Sequence, residues 1–438
     1  VKTNDHAVAA GHSVDAARWQ EAFEGLMDRI AGRFARVEPR LRIRHLVLGL
    51  LADLPRKNCW TIAEWAGEAT PNAMQHLLSR AKWDADAVRD DLRDYVVEHL
   101  HDDRAVLVVD ETGDVKKGRH TVGVQRQYTG TAGRIENSQV AVYLAYAGWR
   151  GHAALDRELY IPRSWTDQPE RCRAAGLHPD TVFATKPELA ARMIMRFLDS
   201  GHQAPWVAGD EVYGGNPALR AALENRATGY VLAVARTHEV TTGAGKFRAD
   251  ILAKKLPKRA GQKLSAGAGA KGHRFYDWAL IDLSSTVPGQ RHLLIRRNRT
   301  TGELAYYRCF SPEPVPLTVL VRVAGSRWRV EETFQSGKGL AGLDEHQLRR
   351  YTSWSRWVTL ALLAHAFLAV VRADEHRLRP GPDDLIPLTC NEIQRLFIAL
   401  IGRPVHGAEH WLHWSHWRRR HQARSRASHY SRQAASKA

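Results

Sequence analysis

The sequence predicts an α/β protein, with a mixed sheet at its centre and helical segments at either end of the chain. Three observations carry this. Hydrophobic spacing is helical over the first hundred residues; from residue 105 short β-branched apolar runs alternate with helical ones; helical spacing returns after residue 317. With 438 residues, 44% hydrophobic and 25% charged, the composition is ordinary for a globular chain of several domains and excludes a disordered or fibrous one.

Taken in order, Trp19 to Arg36 places Phe23, Leu26, Ile30 and Phe34 at helical intervals, with Arg29, Arg33 and Arg36 on one face. Pro39 is expected to end that helix, and Ile43 to Leu54 resumes the pattern. Thr61 to Ala66, Gly67 and Asn72 to Ala81 outline a helix-turn-helix, the arrangement that lays a second helix in a DNA groove. Ala105 to Asp110 (AVLVVD) then reads as a buried strand. Ser138 to Ala147 and Ala154 to Ile161 read as two more, Lys186 to Asp199 as a helix, and Trp206 to Gly209 as a strand. Pro217 to Glu224 reads as a helix and Tyr230 to Ala235 as a strand. The order β-β-β-α-β-α-β is that of an RNase H-like core. The expected division is a helical DNA-binding domain at 1–100, the first part of the core at 101–239, a β-rich basic insertion at 240–316, the rest of the core at 317–378, and a helical basic tail at 379–438 that opens with a proline-containing linker at 379–387.

Positive charge is local. The net charge is +17, of which residues 236–316 carry +9 and residues 403–438 carry +7, whereas the first hundred residues are at −1. Such concentration is the footprint of a polyanion-binding protein. The four cysteines form no CxxC pair, so a reducing, intracellular compartment is expected. The apolar run Trp357 to Val371 contains His365 and is too short to cross a bilayer, and no signal-peptide pattern opens the sequence. A soluble protein with no membrane partner is expected.

The chemistry is expected at acids on the sheet's carboxyl edge, where α/β folds gather their sites. Asp110 is read as the last residue of its strand and Asp210 as the first residue after another. Two such acids side by side repel and call for a hard divalent cation, Mg²⁺ or Mn²⁺. A third acid is sought on the helix running to about Lys338. There Arg327, Glu331, Gln335 and Lys338 share one face, next to an apolar face of Val330 and Phe334. Gly337 and Gly339 suggest that the helix ends nearby. Glu332 is the rival acid.

Long motifs here resemble a known family. VVDETGDVKKGRHTVGVQRQYTG (Val108 to Gly130), GDEVYGG (Gly209 to Gly215), WRVEETFQSGKGLAGLDEHQLR (Trp328 to Arg349) and WSHWRRRHQARSR (Trp414 to Arg426) are similar to DDE insertion-sequence transposases of bacteria, in particular the insertion sequence 701 group of the insertion-sequence 4-like class. The resemblance implies that Asp110, Asp210 and Glu331 are the catalytic, metal-binding acids holding two Mg²⁺ or Mn²⁺ ions, and that transposon ends are cut and joined without a covalent protein–DNA intermediate. It prefers Glu331 because Arg327 and Lys338 stand at the spacing of a Tyr, Arg, Glu, Lys signature; the tyrosine position holds Ala324. It also implies phosphate contacts from Arg327 and Lys338, double-stranded DNA partners (terminal inverted repeats and target), a homodimer in a synaptic complex, and a cytoplasmic, nucleoid-associated place in a bacterium. The rival readings are an RNase H-like nuclease that does not join strands and a DNA-binding protein with a decayed site.

Further DNA-binding candidates are Lys116 and Lys117 beyond the first strand, Arg418, Arg419 and Arg420 in the tail, and Tyr213 as a stacking platform for an unpaired base. Gly267, Gly269 and Gly272 form GxGxxG without the strand and helix a dinucleotide site needs, so no such cofactor is expected. His406, His410, His413, His416 and His421 have spacing open to zinc, but a helix docking Trp411, Trp414 and Trp417 into the body is the favoured reading.

Overall fold

The computed structural model describes residues 14–269, 272–378, 386–402 and 404–435, which divide into two compact units. One comprises the described residues of 1–88, 338–347 and 355–438; the other comprises 89–337, without 270 and 271, and 348–354. The linker expected at 379–387 lies, as far as residue 385, outside the described residues.

The first unit opens with α1 (Ala16–Ala31), which buries Trp19, Phe23, Leu26 and Ile30 as its spacing requires. It stops eight residues before Pro39, because Gly32 closes it and the chain turns at Arg33 and Phe34. Pro39 instead sits in the first turn of α2 (Val37–Leu51), where no backbone N–H has a helical partner to lose. Arg33 and Arg36 therefore lie beyond α1, and the expected three-arginine face is not formed. Next come α3 (Cys59–Trp65) and α4 (Asn72–Ser79). Asn58 and Thr61 form a capping box on α3, and Gly67 takes φ +82° just past it, a left-handed value that suits glycine. Then α5 (Ala85–His99) carries the chain into the second unit.

That unit is built on one ten-stranded sheet. The first strands are β1 (Val106–Val115), β2 (Gln125–Thr129), β3 (Arg134–Ala147) and β4 (His152–Leu159). Their antiparallel set is followed by α6 (Lys186–Asp199), β5 (Trp206–Gly209), the one-turn helix α7 (Glu211–Gly214), α8 (Pro217–Asn225) and β6 (Gly229–Val234). β1, β5 and β6 run parallel. This antiparallel-then-parallel arrangement is the RNase H-like fold. Val106 to Val109 and all of β5 are buried, as strands covered on both faces must be.

β1 runs five residues past Asp110, which corrects the expected strand end. Only the apolar run stops there; the ladder with β3 needs backbone alone and continues to Val115 opposite Ser138. β2 was not expected because its sequence, QRQYT, has no apolar run.

A two-stranded ribbon, β7 (Glu239–Thr242) and β8 (Gly245–Arg248), follows β6. Then β9 (Gln262–Gly269), β10 (Gly272–Asp282), β11 (Gln290–Asn298) and β12 (Leu304–Ser311) extend the main sheet, β12 pairing antiparallel with β6. The strand order is β2-β3-β1-β5-β6-β12-β11-β10-β9, and β4 pairs with β3 on the same edge as β2. The GxGxxG glycines fall on β9 and β10, a hairpin pair.

The predicted helix running to about Lys338 is two helices, α9 (Leu317–Ser326) and α10 (Trp328–Ala341), meeting at Arg327. α10 continues through Gly337 and Gly339, so neither ends it. Its last residues return the chain to the first unit. There α11 (Tyr351–Leu378) packs Phe367 against Phe23 and Phe397 with ring centroids 5.4 and 4.9 Å apart. At 28 residues α11 exceeds its apolar run and is long and apolar enough to cross a membrane, yet its most apolar stretch is wholly buried in the protein. α12 (Cys390–Phe397) and α13 (Ala408–Ala435) complete the unit. In its first turns α13 docks as expected: Trp414 is buried and Trp417 stacks edge-on against Trp60, 4.7 Å between centroids, while Trp411 stays exposed. His406, His410 and His413 each place Nε2 on a backbone carbonyl, of Trp65, Glu64 and Ala69, and hold no metal geometry.

Two glycines test the packing of the α9–α10 corner. A Cβ on Gly325 would stand 1.9 Å from the Ala266 carbonyl oxygen on β9, whereas one on Gly339 would meet nothing within 4 Å. Gly325→Ala should lower stability by about 1–3 kcal/mol, and Gly339→Ala should raise it by up to about 1 kcal/mol, both read from urea or thermal unfolding.

Candidate active site on the carboxyl edge of the sheet

Register brings the two aspartates together. The parallel pairing of β1 and β5 ends at Val109 opposite Gly209, so Asp110 and Asp210 are the next residues on neighbouring strands. Asp110 Oδ1 accepts the Glu111 amide at 2.8 Å, and Asp210 caps α7 by accepting the Val212 amide at 2.9 Å. Each carboxylate keeps its other oxygen clear of these bonds. Burial, then the charge of Asp210, push the Asp110 carboxyl up to about 7. Asp210 is also raised, first by burial and then by the charge of Glu111, while Arg327 acts on both in the opposite sense.

Arg327 sits at the corner between α9 and α10, its Nη1 3.4 Å from Glu331 Oε1 one turn on. A cleft of 1210 Å³ is lined by Asp210, Arg327, Glu331 and Glu332 together with Arg236, Arg274 and Arg296. Two of these arginines stand over aromatic rings, Arg274 on Trp328 at 5.6 Å and Arg296 on Tyr276 at 4.6 Å. The strands β9 to β12 of the insertion supply much of the rest of the lining.

The adjacent glutamates differ. Glu332 Oε2 accepts from Arg329 at 2.7 Å and lies 3.3 Å from His152 Nε2, and these partners, His152 first, pull it down to about 2. Among the described residues Glu331 has the long Arg327 contact alone, and its side chain is exposed. Val330 is buried and Phe334 packs on Tyr143, 5.4 Å between centroids, which turns the Glu331 face outward as the spacing indicated.

Glu111 is a site residue that sequence reasoning missed. Its Oε2 accepts the Tyr213 hydroxyl at 2.6 Å and its Oε1 pairs with Lys186 Nζ at 2.6 Å. This clamp ties β1 to the segment after Asp210 and to the start of α6. The signal was the Asp-Glu pair itself, hidden because Tyr213 and Lys186 are distant in sequence. Tyr213 is wholly buried, so its ring is not offered to an unpaired base; the expected stacking role is corrected to this clamp.

The other candidates stand on other elements or further along α10. Lys116 lies 3.8 Å from Asp114 in a turn that Asn137 holds through the Lys116 carbonyl, and Lys117 is exposed. Lys338 stands two turns beyond Glu331 on α10. In the first unit Arg418 Nη1 donates to both carboxylate oxygens of Glu64 at 2.6 Å, while Arg419 and Arg420 are exposed.

Among the described residues no three His, Cys, Asp and Glu side chains converge on one point as a ready metal cage. The donor chemistry nevertheless fits a hard divalent ion. Two half-buried carboxylates that oppose each other's ionisation form an all-oxygen set, with a third carboxylate on the adjoining cleft wall.

Comparison with known proteins agrees with this acid-lined RNase H-like core. Residues 30–285 match the DDE superfamily endonucleases, and the chain belongs to that family. It is also similar to the probable transposase for insertion sequence element IS701 of Microchaete diplosiphon, 31% identical over 200 residues, which are 45% of this chain. The match covers about half of that relative's length, 49%.

The raised Asp110 carboxyl makes a stability prediction for the metal-free protein. An unfolded aspartate ionises near 3.9, so holding Asp110 ionised in the fold costs progressively more from about pH 4 and levels off above about pH 7. Stability should therefore fall across that window. In EDTA, Asp110→Asn should melt several degrees above wild type at about pH 8 and close to it at about pH 4.

Proposed function

We propose that the protein is a metal-dependent DNA transposase that cuts and joins the ends of a mobile element. The observation that carries this is the β1–β5 register, which sets Asp110 beside Asp210 at the carboxyl edge, with Glu331 on the wall of the cleft that Asp210 also lines. Membership of the DDE endonucleases and similarity to an insertion-sequence transposase support it.

Asp110, Asp210 and Glu331 would hold two Mg²⁺ or Mn²⁺ ions. When bound, such a pair supplies Lewis-acid stabilisation to the attacking and leaving oxygens of a phosphodiester. The chain's own residues do the rest. Arg327, beside both aspartates, offers a charge-assisted contact to a phosphate at the acids and frees Glu331 as it does so. Arg236, Arg274 and Arg296 give the cleft lining the charge to hold a backbone, and Lys338 would add a further contact. Glu111, held by Lys186 and Tyr213, keeps the strand of Asp110 and the loop of Asp210 in register. Water attack at the element's end breaks the P–O3′ bond and leaves a 3′-hydroxyl. That hydroxyl then attacks a target phosphodiester, forming one P–O bond as another breaks. Duplex DNA bearing terminal inverted repeats, with target DNA, is the substrate. The working form is a homodimer that pairs two ends in a synaptic complex. The helical residues 1–100 would recognise those ends, and the insertion (240–316) and tail (379–438) would hold the backbone.

The assay uses purified protein, Mg²⁺ or Mn²⁺, and a duplex with the gene's flanking repeats. Asp110→Ala, Asp210→Ala and Glu331→Ala should each lose cleavage by more than about 100-fold, beyond what residues that only orient a ligand cost. Glu332→Ala, removing a carboxylate committed to Arg329 and His152, should stay within about 10-fold of wild type. Loss in Glu332→Ala with retention in Glu331→Ala would reverse the assignment. Cleavage without strand joining would make the protein a nuclease, and synapsed DNA that is bound but never cut would make it a binding protein.

A further inference from the structure

The outer half of α13 is a feature that the cutting site does not use. The helix is 28 residues long, about 42 Å at 1.5 Å per residue. Its start is fixed to the α3–α4 segment by the three histidine–carbonyl bonds, by Trp414 Nε1 donating to the Glu68 carbonyl at 2.8 Å, and by the Arg418–Glu64 pair. Beyond Arg418 every described residue, 419 to 435, is exposed. This arm is about 25 Å long, and near its base the His421 ring packs on Trp60 and Trp417, with centroids 4.7 and 5.2 Å apart.

Its chemistry is one-sided. The arm carries Arg419, Arg420, Arg424, Arg426 and Arg432, and no Asp or Glu follows Glu409 in the sequence. Arg432 turns back to Ser428 Oγ at 3.0 Å; among the described residues the other four have no acidic partner. Arg420 and Arg424, one turn apart, repel one another and weaken the bare helix. An exposed helix of this length is also marginal without packing. A polyanion would remove the repulsion and supply the missing partner surface. By contrast α4, the second helix of the helix-turn-helix, exposes Asn72, Gln75, His76 and Ser79, with Arg80 just past its end, so it offers little charge.

We propose that the arm of α13 seats in the major groove of duplex DNA, and that it, rather than α4, is the groove-entering helix of this unit. A helix of 10–12 Å diameter fits a groove about 12 Å wide, and five arginines over about 20 Å can reach phosphates on both rims. The inference rests on the reading that the protein acts on DNA.

The test measures binding of the full chain to a labelled duplex by fluorescence anisotropy across a salt series. Combining Arg419→Gln, Arg420→Gln, Arg424→Gln, Arg426→Gln and Arg432→Gln keeps good helix formers at exposed positions, so the melting temperature should hold. The slope of log K against log salt should become shallower by about 4, since each phosphate that an arginine no longer neutralises takes about 0.9 from it. Gln75→Ala with Arg80→Gln, on and just past α4, should change it by about 1 or less. Methyl green, a major-groove ligand, should compete with the wild type, and the minor-groove ligand distamycin should not. An unchanged slope in the five-arginine variant, or competition by distamycin alone, would overturn the arm while leaving the functional reading intact. A wild type that bound no duplex would instead overturn that reading.

Discussion

Everything at the site depends on four residue pairs of parallel strand. Val106 to Val109 lie beside Trp206 to Gly209, and the ladder between them is closed on both faces by apolar packing. Neither strand can slide without moving its side chains to the wrong face. The fold therefore forces Asp110 and Asp210 together against their mutual repulsion, and the tertiary structure bears that cost. Arg327 offsets part of it in the protein alone.

The helix α10 solves a second problem, that of choosing between neighbouring glutamates. A helix turns 100° per residue, so Glu331 and Glu332 cannot serve the same direction. Val330 and Phe334 set the rotation by entering the core. Glu332 then falls towards His152 and Arg329, where it is held ionised, and Glu331 falls beside Arg327 on the cleft wall. One acid is committed to structural partners, whereas the other stands exposed beside Arg327.

Much of this was legible in the sequence because it depended on local patterns. The bounds of α6 and β5 follow from spacing and from an apolar run between polar flanks, and the structure has the same bounds. Where a pattern is borrowed from a partner, reading fails. β2 and the far half of β1 are polar and owe their state to β3. Pro39 reads as a stop because proline punctuates helices, but its missing N–H is harmless in a first turn. The Glu111 clamp joins three residues from three elements, and no spacing announces such a contact. Tyr213 looks available in the sequence because nothing local shows that the ring is enclosed.

The continuity of the sheet through β12 to β9 has a consequence for how this protein can change. The basic segment after β6 is an insertion in sequence only; in hydrogen bonding it is the rest of the sheet. Excising it would strip the partner from β6 and leave an open, largely apolar strand edge, an invitation to edge-to-edge aggregation. Variation in this half of the molecule is thus channelled away from whole-module loss or exchange and into the hairpin tips and the side chains that face the cleft, where substitutions can alter what is held without unmaking the sheet that holds it.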